Sequence, residues 1–302
     1  MLQSPLNYTG GKFKLLSQIL PHFPQNIDTF VDLFCGGGNV GANVKAQAVF
    51  FNDLDSNVVG ILSAFKAIPK EEIIDFIINI IEDYQLSQVS DYGYEFYQCN
   101  SAKGLGDYNR ASFLQLRDDF NNLEKKDYHY YLLLYVLLIF SFNNQIRFNK
   151  SGRFNLPVGK RDFNERMQSK LSKFIDRLNE INCVFSNADF RQIDMAQLNQ
   201  DDFVYADPPY LITCATYNEQ GGWTEALEHD LYNFLDELHT NHIRFALSNV
   251  LSSKGKTNTI LTQWLAENPQ YNCHHLNYKY SNSNYQVKDR ISVSDEVLIT
   301  NY

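Results

Sequence analysis

Cysteine is scarce. Five residues, Cys35, Cys99, Cys183, Cys214 and Cys273, lie far apart with no C-x-x-C pair, which excludes a disulfide framework of the secreted type and a cysteine zinc site. Seven histidines include His274 and His275 but hold no H-E-x-x-H or comparable spacing, so no metal is expected. The chain does not open on a basic stretch followed by an apolar one, which reads as the absence of a secretory signal. The longest apolar run, YYLLLYVLLIF (residues 130–140), is too short to span a bilayer and reads as a buried helix. These absences together predict a cytoplasmic protein with free thiols and no membrane partner. Internal repeats and long low-complexity tracts are missing too, which argues against a solenoid and against disorder.

What is present is the material of a sizeable globular core: 302 residues, 44% hydrophobic and 20% charged, with 19 tyrosines and 22 phenylalanines. A formal charge of −9 argues against a generic polyanion binder. The charge is unevenly spread, however. Across residues 145–177, Arg147, Lys150, Arg153, Lys160, Arg161, Arg166, Lys170, Lys173 and Arg177 stand against only Asp162, Glu165 and Asp176. That is a local basic face on an acidic whole.

FVDLFCGGGNVG (residues 30–41) carries G-x-G-x-x-G at Gly36, Gly38 and Gly41, after a short apolar run that reads as a strand. DTFVDLF and AVFFNDLD read as two strands joined by a helix-like NVGANVKA, a β-α-β unit opening at the glycines. This spacing fits a dinucleotide-binding turn, but a turn passing under an adenosine looks alike in one window. Helical periodicity then dominates in NVVGILSAFKAI, KEEIIDFIINIIEDY, RASFLQLRDDFNNL and HYYLLLYVLLIF. Strand signals return at about Asn182 with NCVFSNADF, DFVYADPPY and IRFALSN, and the end reads as an antiparallel hairpin at a sheet edge. The expected fold is α/β, a doubly wound sheet interrupted by an inserted helical domain.

The decisive stretch is DPPY, Asp207, Pro208, Pro209 and Tyr210, at the carboxyl end of the predicted strand 203–206. Ligands of open α/β sheets bind outside the carboxyl ends of the strands, so this tetrapeptide and the glycine turn are expected to serve one crevice. Its chemistry suits methylation of an exocyclic amine. The adenine N6 amine is a poor nucleophile because its lone pair is delocalised into the ring. A carboxylate and a main-chain carbonyl that accept its two hydrogens draw the nitrogen towards tetrahedral geometry. Asp207 and the Pro208 carbonyl suit those roles, the prolines stiffen the backbone, and Tyr210 offers a face for an extruded base.

On these segments, taken in order, the chain resembles the Dam-type adenine-N6 DNA methyltransferases over nearly its whole length. The resemblance implies S-adenosylmethionine as cofactor and a class I, Rossmann-like sheet. In LNYTGGKFKLL (residues 6–16) it assigns Tyr8 to the cofactor and Lys12 to its carboxylate end. FVDLFCGGG, with Asp32, Phe34, Gly36 and Gly38, resembles the motif beneath the methionine part, and Asp53 of FNDLD the acid that binds the ribose hydroxyls. Asp189 and Phe190 of NADF are read as shaping the cofactor's adenine pocket, and Asp207 as also lying beside the cofactor. Residues 1–57 and 171–302 are expected to form the catalytic domain, and 58–170 an inserted, mostly helical target-recognition domain.

SFNNQIRFNKSGRFNLPVG (residues 141–159) resembles the family's recognition segment for double-stranded DNA. Arg147 offers a bidentate fork to guanine, Lys150 and Arg153 suit phosphates, and Phe142 suits a wedge into the stack left by a flipped adenine. Asn143, Gln145 and Asn149 complete the expected contacts, with Asn7 from the amino-terminal motif. Asn7 stands where enteric GATC-specific members carry a guanine-reading lysine, and Gln145 where they carry an apolar residue, which counts against GATC. Cytosine-C5 chemistry is excluded because no Pro-Cys dipeptide exists. Three alternatives stay open: cytosine-N4 methylation, a silent DNA-binding protein on the same fold, and a methyltransferase for small molecules or proteins. A restriction endonuclease is the expected functional, not physical, partner.

Overall fold

The computed structural model describes residues 1–8, 10–213, 222–277 and 294–302. From the amino end, a short helix α1 (Leu16–Ile19) precedes strands β1 (Thr29–Asp32) and β2 (Ala48–Asn52). Six helices follow: α2 (Ser56–Ala67), α3 (Lys70–Asp83), α4 (Val89–Phe96), α5 (Gly106–Asn121), α6 (Tyr128–Phe140) and α7 (Glu165–Glu180). The chain then runs through β3 (Cys183–Ser186), β4 (Phe203–Ala206), α8 (Glu225–Thr240), β5 (Arg244–Ser253), β6 (Lys256–Thr257), α9 (Thr259–Glu267), β7 (Asn272–Leu276) and β8 (Asp295–Thr300).

These elements form two compact units, one of Met1–Phe13, Gly36–Asn43 and Asp55–Phe185, the other of Lys14–Cys35, Val44–Leu54 and Ser186–Tyr302. The first unit is helical. Its helices begin where the sequence supplies caps: Asp55 accepts from the Asn57 amide before α2, Asp127 from Tyr130 before α6, and Asn164 from Met167 before α7. The apolar run forms α6, in which Tyr130 and all residues from Leu132 to Phe140 are buried, as a helix apolar on every side requires. No helix among the described residues is long and apolar enough to cross a membrane.

The second unit is built on a sheet. Strands β2, β1, β4 and β5 pair in parallel in that order, then β8 and β7 add antiparallel, and β6 folds back on β5. The parallel strands are buried on both faces and read as continuous apolar runs, FVYA of β4 being buried throughout. Helices α8 and α9 supply Leu231, Leu235, Leu238, Leu261 and Trp264 to a core shared with Val31, Val204, Phe245 and Ile299. The two expected terminal strands are present as β7 and β8, paired antiparallel from Asn272↔Thr300 to Leu276↔Glu296, and the polar turn expected between them lies outside the described residues.

One expected element does not form. NVGANVKA is a succession of turns, with bonds such as Ala42 N to Gly38 O at 3.1 Å and Asn43 N to Val40 O at 2.9 Å. Gly36 and Gly38 take left-handed φ of 48° and 73°, and a right-handed helix cannot propagate from such a start.

Candidate active site and nucleic-acid interface

Register fixes what stands at the carboxyl edge of the sheet. Asp32 closes β1 opposite Phe51 of β2 and Tyr205 of β4, so the chain leaves three neighbouring strands at Asp32, Asp53 and Asp207. The chain goes outward from β1 to β2 and returns to β4 on the other side of β1. Asp32 and Asp207 therefore flank the point where strand order reverses, where open α/β sheets form their ligand crevice. Asp32 and Asp53 are both buried. Negative charge is concentrated here, since burial, then Asp53, then Asp32 push the neighbouring Cys35 thiol well above its ordinary value.

Two asparagines hold the exit of β2. The buried Asn52 donates from its amide to the Leu33 carbonyl at 3.1 Å and the Ala188 carbonyl at 3.0 Å, and its oxygen accepts the Ala188 amide. Asn187 donates to the carbonyls of Asp53 and Leu54, both at 2.9 Å. Leu54, pinned in this way, is 72% exposed, an apolar face beside a carboxylate. Asp189 caps the following turn. Its oxygens accept the Arg191 amide and the Arg191 guanidinium at 2.9 and 2.7 Å, and that guanidinium holds its carboxyl below the usual range. Its carboxylate is committed to Arg191. Phe190 turns inward among Phe34, Trp223 and Phe234, with ring centroids 5.5, 5.9 and 6.1 Å away.

The Asp207 side chain is half-buried, Pro208 and Tyr210 are buried, and Pro209 is exposed. A turn closes the motif through Thr213 N to Tyr210 O at 3.0 Å. Beneath it, the buried Tyr205 hydroxyl bonds Ser248 at 2.7 Å, and burial followed by the Asp207 carboxylate holds its proton on. Trp223, just before α8, meets Phe34 edge-on at 5.6 Å. Its indole N–H donates to the carboxylate of Glu228, which is fully buried and also accepts from Tyr232 at 2.5 Å and from Asn249 and Asn258 at 3.1 Å each.

In the first unit, the Tyr8 ring lies over Gly36, where a Cβ would sit 2.7 Å from it. Glycine is required there twice over, by that ring and by the left-handed φ. Lys12 is buried and its ammonium donates to the Gly10 carbonyl at 2.9 Å.

Residues 141–159 form a hairpin bridged at Ser141↔Val158 and Phe148↔Phe154. Gly159 lets its base close, since a Cβ would stand 2.4 Å from the Ser141 carbonyl oxygen. Phe142 is 46% exposed. Asn143 and Asn144 take left-handed φ of 58° and 53°, and Asn144 donates to the last carbonyls of α6. Asn7 reaches this turn through a 2.8 Å bond to the Asn143 carbonyl, while Gln145 is half-buried. Arg147 is exposed and donates from Nε to Asn155 Oδ1 at 2.8 Å and from Nη2 to the Asn155 carbonyl at 3.1 Å. Asn149 organises the tip, accepting from Ser151 and from the Arg153 amide. Lys150 and Arg153 stand exposed there.

Residues 8–282 match the family model described as D12 class N6 adenine-specific DNA methyltransferase. The chain belongs to this family. It is 40% identical over 307 residues to modification methylase StsI of Streptococcus sanguinis and 41% identical over 307 residues to type II methyltransferase M.FokI of Planomicrobium okeanokoites. Both matches cover 100% of this chain but 43% of the relative, so the chain spans less than half the length of these proteins. The DNA adenine methylase of Salmonella typhi is 25% identical over 249 residues, which are 81% of this chain and 79% of that one. The parallel sheet with its antiparallel terminal strands is the class I methyltransferase fold.

Four residues that shape this end of the sheet escape a sequence reading: Asn52, Asn187, Trp223 and Glu228. Each acts through partners distant in the chain. The one signal in the sequence is that Asn52 and Asn187 fall within the motifs FNDLD and NADF. Among the described residues, no group of three or more His, Cys, Asp or Glu is placed to hold a metal ion.

Proposed function

We propose that this chain methylates the N6 amine of adenine at a specific site in double-stranded DNA, with S-adenosylmethionine as the donor. The observation that carries the reading is the Asp207–Tyr210 motif leaving β4 beside the strand-order reversal of a D12-family chain. The edge of the second unit fits the cofactor: Asp53 presents a carboxylate suited to ribose hydroxyls, and exposed Leu54 and the ring of Phe34 are apolar faces suited to an adenosine. Tyr8, Lys12, Gly36 and Gly38 keep their assigned roles toward the same molecule, and Asp189 serves it indirectly, by capping the turn that carries Phe190.

S-adenosylmethionine supplies a methyl group already activated on a sulfonium. The chain's own work is positioning. Asp207 accepts one hydrogen of the adenine amine and the Pro208 carbonyl the other, which frees the nitrogen lone pair. Bound S-adenosylmethionine would supply the methyl group to this lone pair, and Asp207 would stabilise the positive charge that develops on N6 until solvent takes up the amine proton. Tyr210 stacks on the base, which is extruded from the duplex because its amine is out of reach within the stack. Phe142 fills the gap, Arg147 reads guanine, and Lys150 and Arg153 hold phosphates. The family's N6 specificity favours adenine over cytosine N4. The modification-methylase names of the relatives support a setting paired functionally with a restriction endonuclease, in the cytoplasm where the DNA is.

The test is long-read sequencing of plasmid DNA from cells that express the chain, with labelled methyl transfer in vitro beside it. N6-methyladenine within one recurring sequence is the expected result. Unmodified DNA together with a cofactor that fails to bind by calorimetry would overturn the reading.

A further inference from the structure

Helix α7 carries a second basic feature, apart from the hairpin. Arg166, Lys170 and Lys173 fall on one stripe of the helix, alongside the buried Leu171, Phe174, Ile175 and Leu178. Together with Leu2, Gln3 and Phe13, they line a cavity of about 250 Å³ within the first unit. None of the three cationic side chains has a hydrogen bond or ion pair with another described residue. The acids of this part of the chain are engaged elsewhere: Asp176 pairs with Lys70 at 2.7 Å, Glu180 lies 3.7 Å from Arg177, and buried Asp162 accepts the Val89 amide. Glu165 is the one remaining acid on the helix. Lys170 is half-buried, and burial and then Arg166 pull its pKa down. A like-charged neighbour beside a half-buried ammonium is unfavourable unless an anion completes the group.

Building on the methyltransferase reading, we infer that the Arg166–Lys170–Lys173 stripe is a binding site for the DNA sugar–phosphate backbone, separate from the 141–159 hairpin. The chemistry of the lining suits this ligand. The three cations suit phosphate oxygens, and Leu2 and Phe13 in the same lining offer apolar contact to a deoxyribose. A compact free anion satisfies the cations but leaves Leu2 and Phe13 unused. Contacts of this kind fix the enzyme on the duplex without reading its sequence.

The test compares wild type with a triple variant, Arg166→Gln, Lys170→Gln and Lys173→Gln, and with Lys173→Gln alone, melting curves confirming that each is folded. Binding to duplexes with and without the methylated site is measured between 50 and 200 mM salt. Each phosphate contact contributes about 0.9 to the slope of log affinity against log salt, so the triple variant should flatten that slope by about 2 to 3, and Lys173→Gln by about 1. Affinity should fall by the same factor on both duplexes, with turnover at saturating DNA unchanged. A folded triple variant with the wild-type slope overturns the inference and leaves the methyltransferase reading intact. So does melting-point stabilisation by millimolar inorganic phosphate that the triple variant loses while its DNA slope stays unchanged, since the cavity is then a site for a small anion. Wild-type protein that binds no duplex overturns both.

Discussion

At the scale of single residues, the parts of the site legible in the sequence are those whose chemistry depends on neighbours in the chain. Asp207 is tied to its prolines and Asp53 to the strand before it, so strand periodicity followed by a motif was enough to place both at a sheet edge. Asn52 and Asn187 were not legible, because an amide gives no sign of which distant carbonyls it will meet. The two aspartates differ in what their loss should do. Asp53→Ala removes a charged acceptor from the proposed ribose hydroxyls and should weaken cofactor binding by about 1.5 to 3 kcal/mol, read by calorimetry. Unchanged affinity would take Asp53 out of the cofactor site. Asp207→Ala should abolish methyl transfer while sparing the fold and much of the DNA binding. Asp207→Asn should keep a trace at most, since a neutral amide oxygen stabilises positive charge on the amine less well. Labelled-methyl transfer beside a melting curve decides, and near-wild-type turnover by folded Asp207→Ala would remove the catalytic assignment.

At the scale of elements, the helices of the apolar stretches and the two terminal strands were legible because their periodicity is dictated by one dominant interaction, burial. The turn after β1 departs from its helical side-chain pattern because the left-handed Gly36 and Gly38 override it. Glu228 belongs to this scale, since its carboxylate joins α8 to Asn249 of β5, to Asn258 at the start of α9 and to Trp223. Glu228→Gln keeps one oxygen for Tyr232, Asn249 and Asn258 and turns the other, which accepts from Trp223, into an NH2 group facing the indole N–H. It should cost about 2 to 3 kcal/mol of stability and release Trp223. In a Trp264→Phe background, where Trp223 is the one tryptophan left, fluorescence should shift towards a water-exposed indole; an unmoved spectrum and melting temperature would mean the network tolerates the swap. In the hairpin, Asn155 takes two of the five N–H donors of Arg147, leaving the outer edge of the fork held in place. Arg147→Ala should relax discrimination at one base pair by about 1 to 3 kcal/mol, whereas Lys150→Ala should weaken all sequences alike. Equal losses on cognate and random duplexes for both variants would make Arg147 a phosphate contact.

At the scale of the whole molecule, composition and local charge point in opposite directions. A chain of net charge −9 repels a polyanion at long range, yet the cations from Lys150 to Lys173 are concentrated on the 141–159 hairpin, α7 and the segment between them, within one compact unit. No break in composition marks that unit, which also takes in Met1–Phe13 and Gly36–Asn43, because segments distant in sequence join it by packing alone. The balance between the two charges is set by distance. Repulsion from acids far from the duplex is screened beyond a Debye length, about 8 Å at physiological ionic strength, whereas direct cation–phosphate contacts release counterions whatever the net charge. Duplex binding should therefore be weak at physiological salt and rise steeply as salt is lowered. If the six exposed cations between Lys150 and Lys173 each meet a phosphate, the slope of log affinity against log salt should be about −5. A fluorescence-anisotropy titration of a random duplex measures it. A slope near zero would mean that the net charge governs the encounter and that the basic segment is a solvated face without contact to DNA.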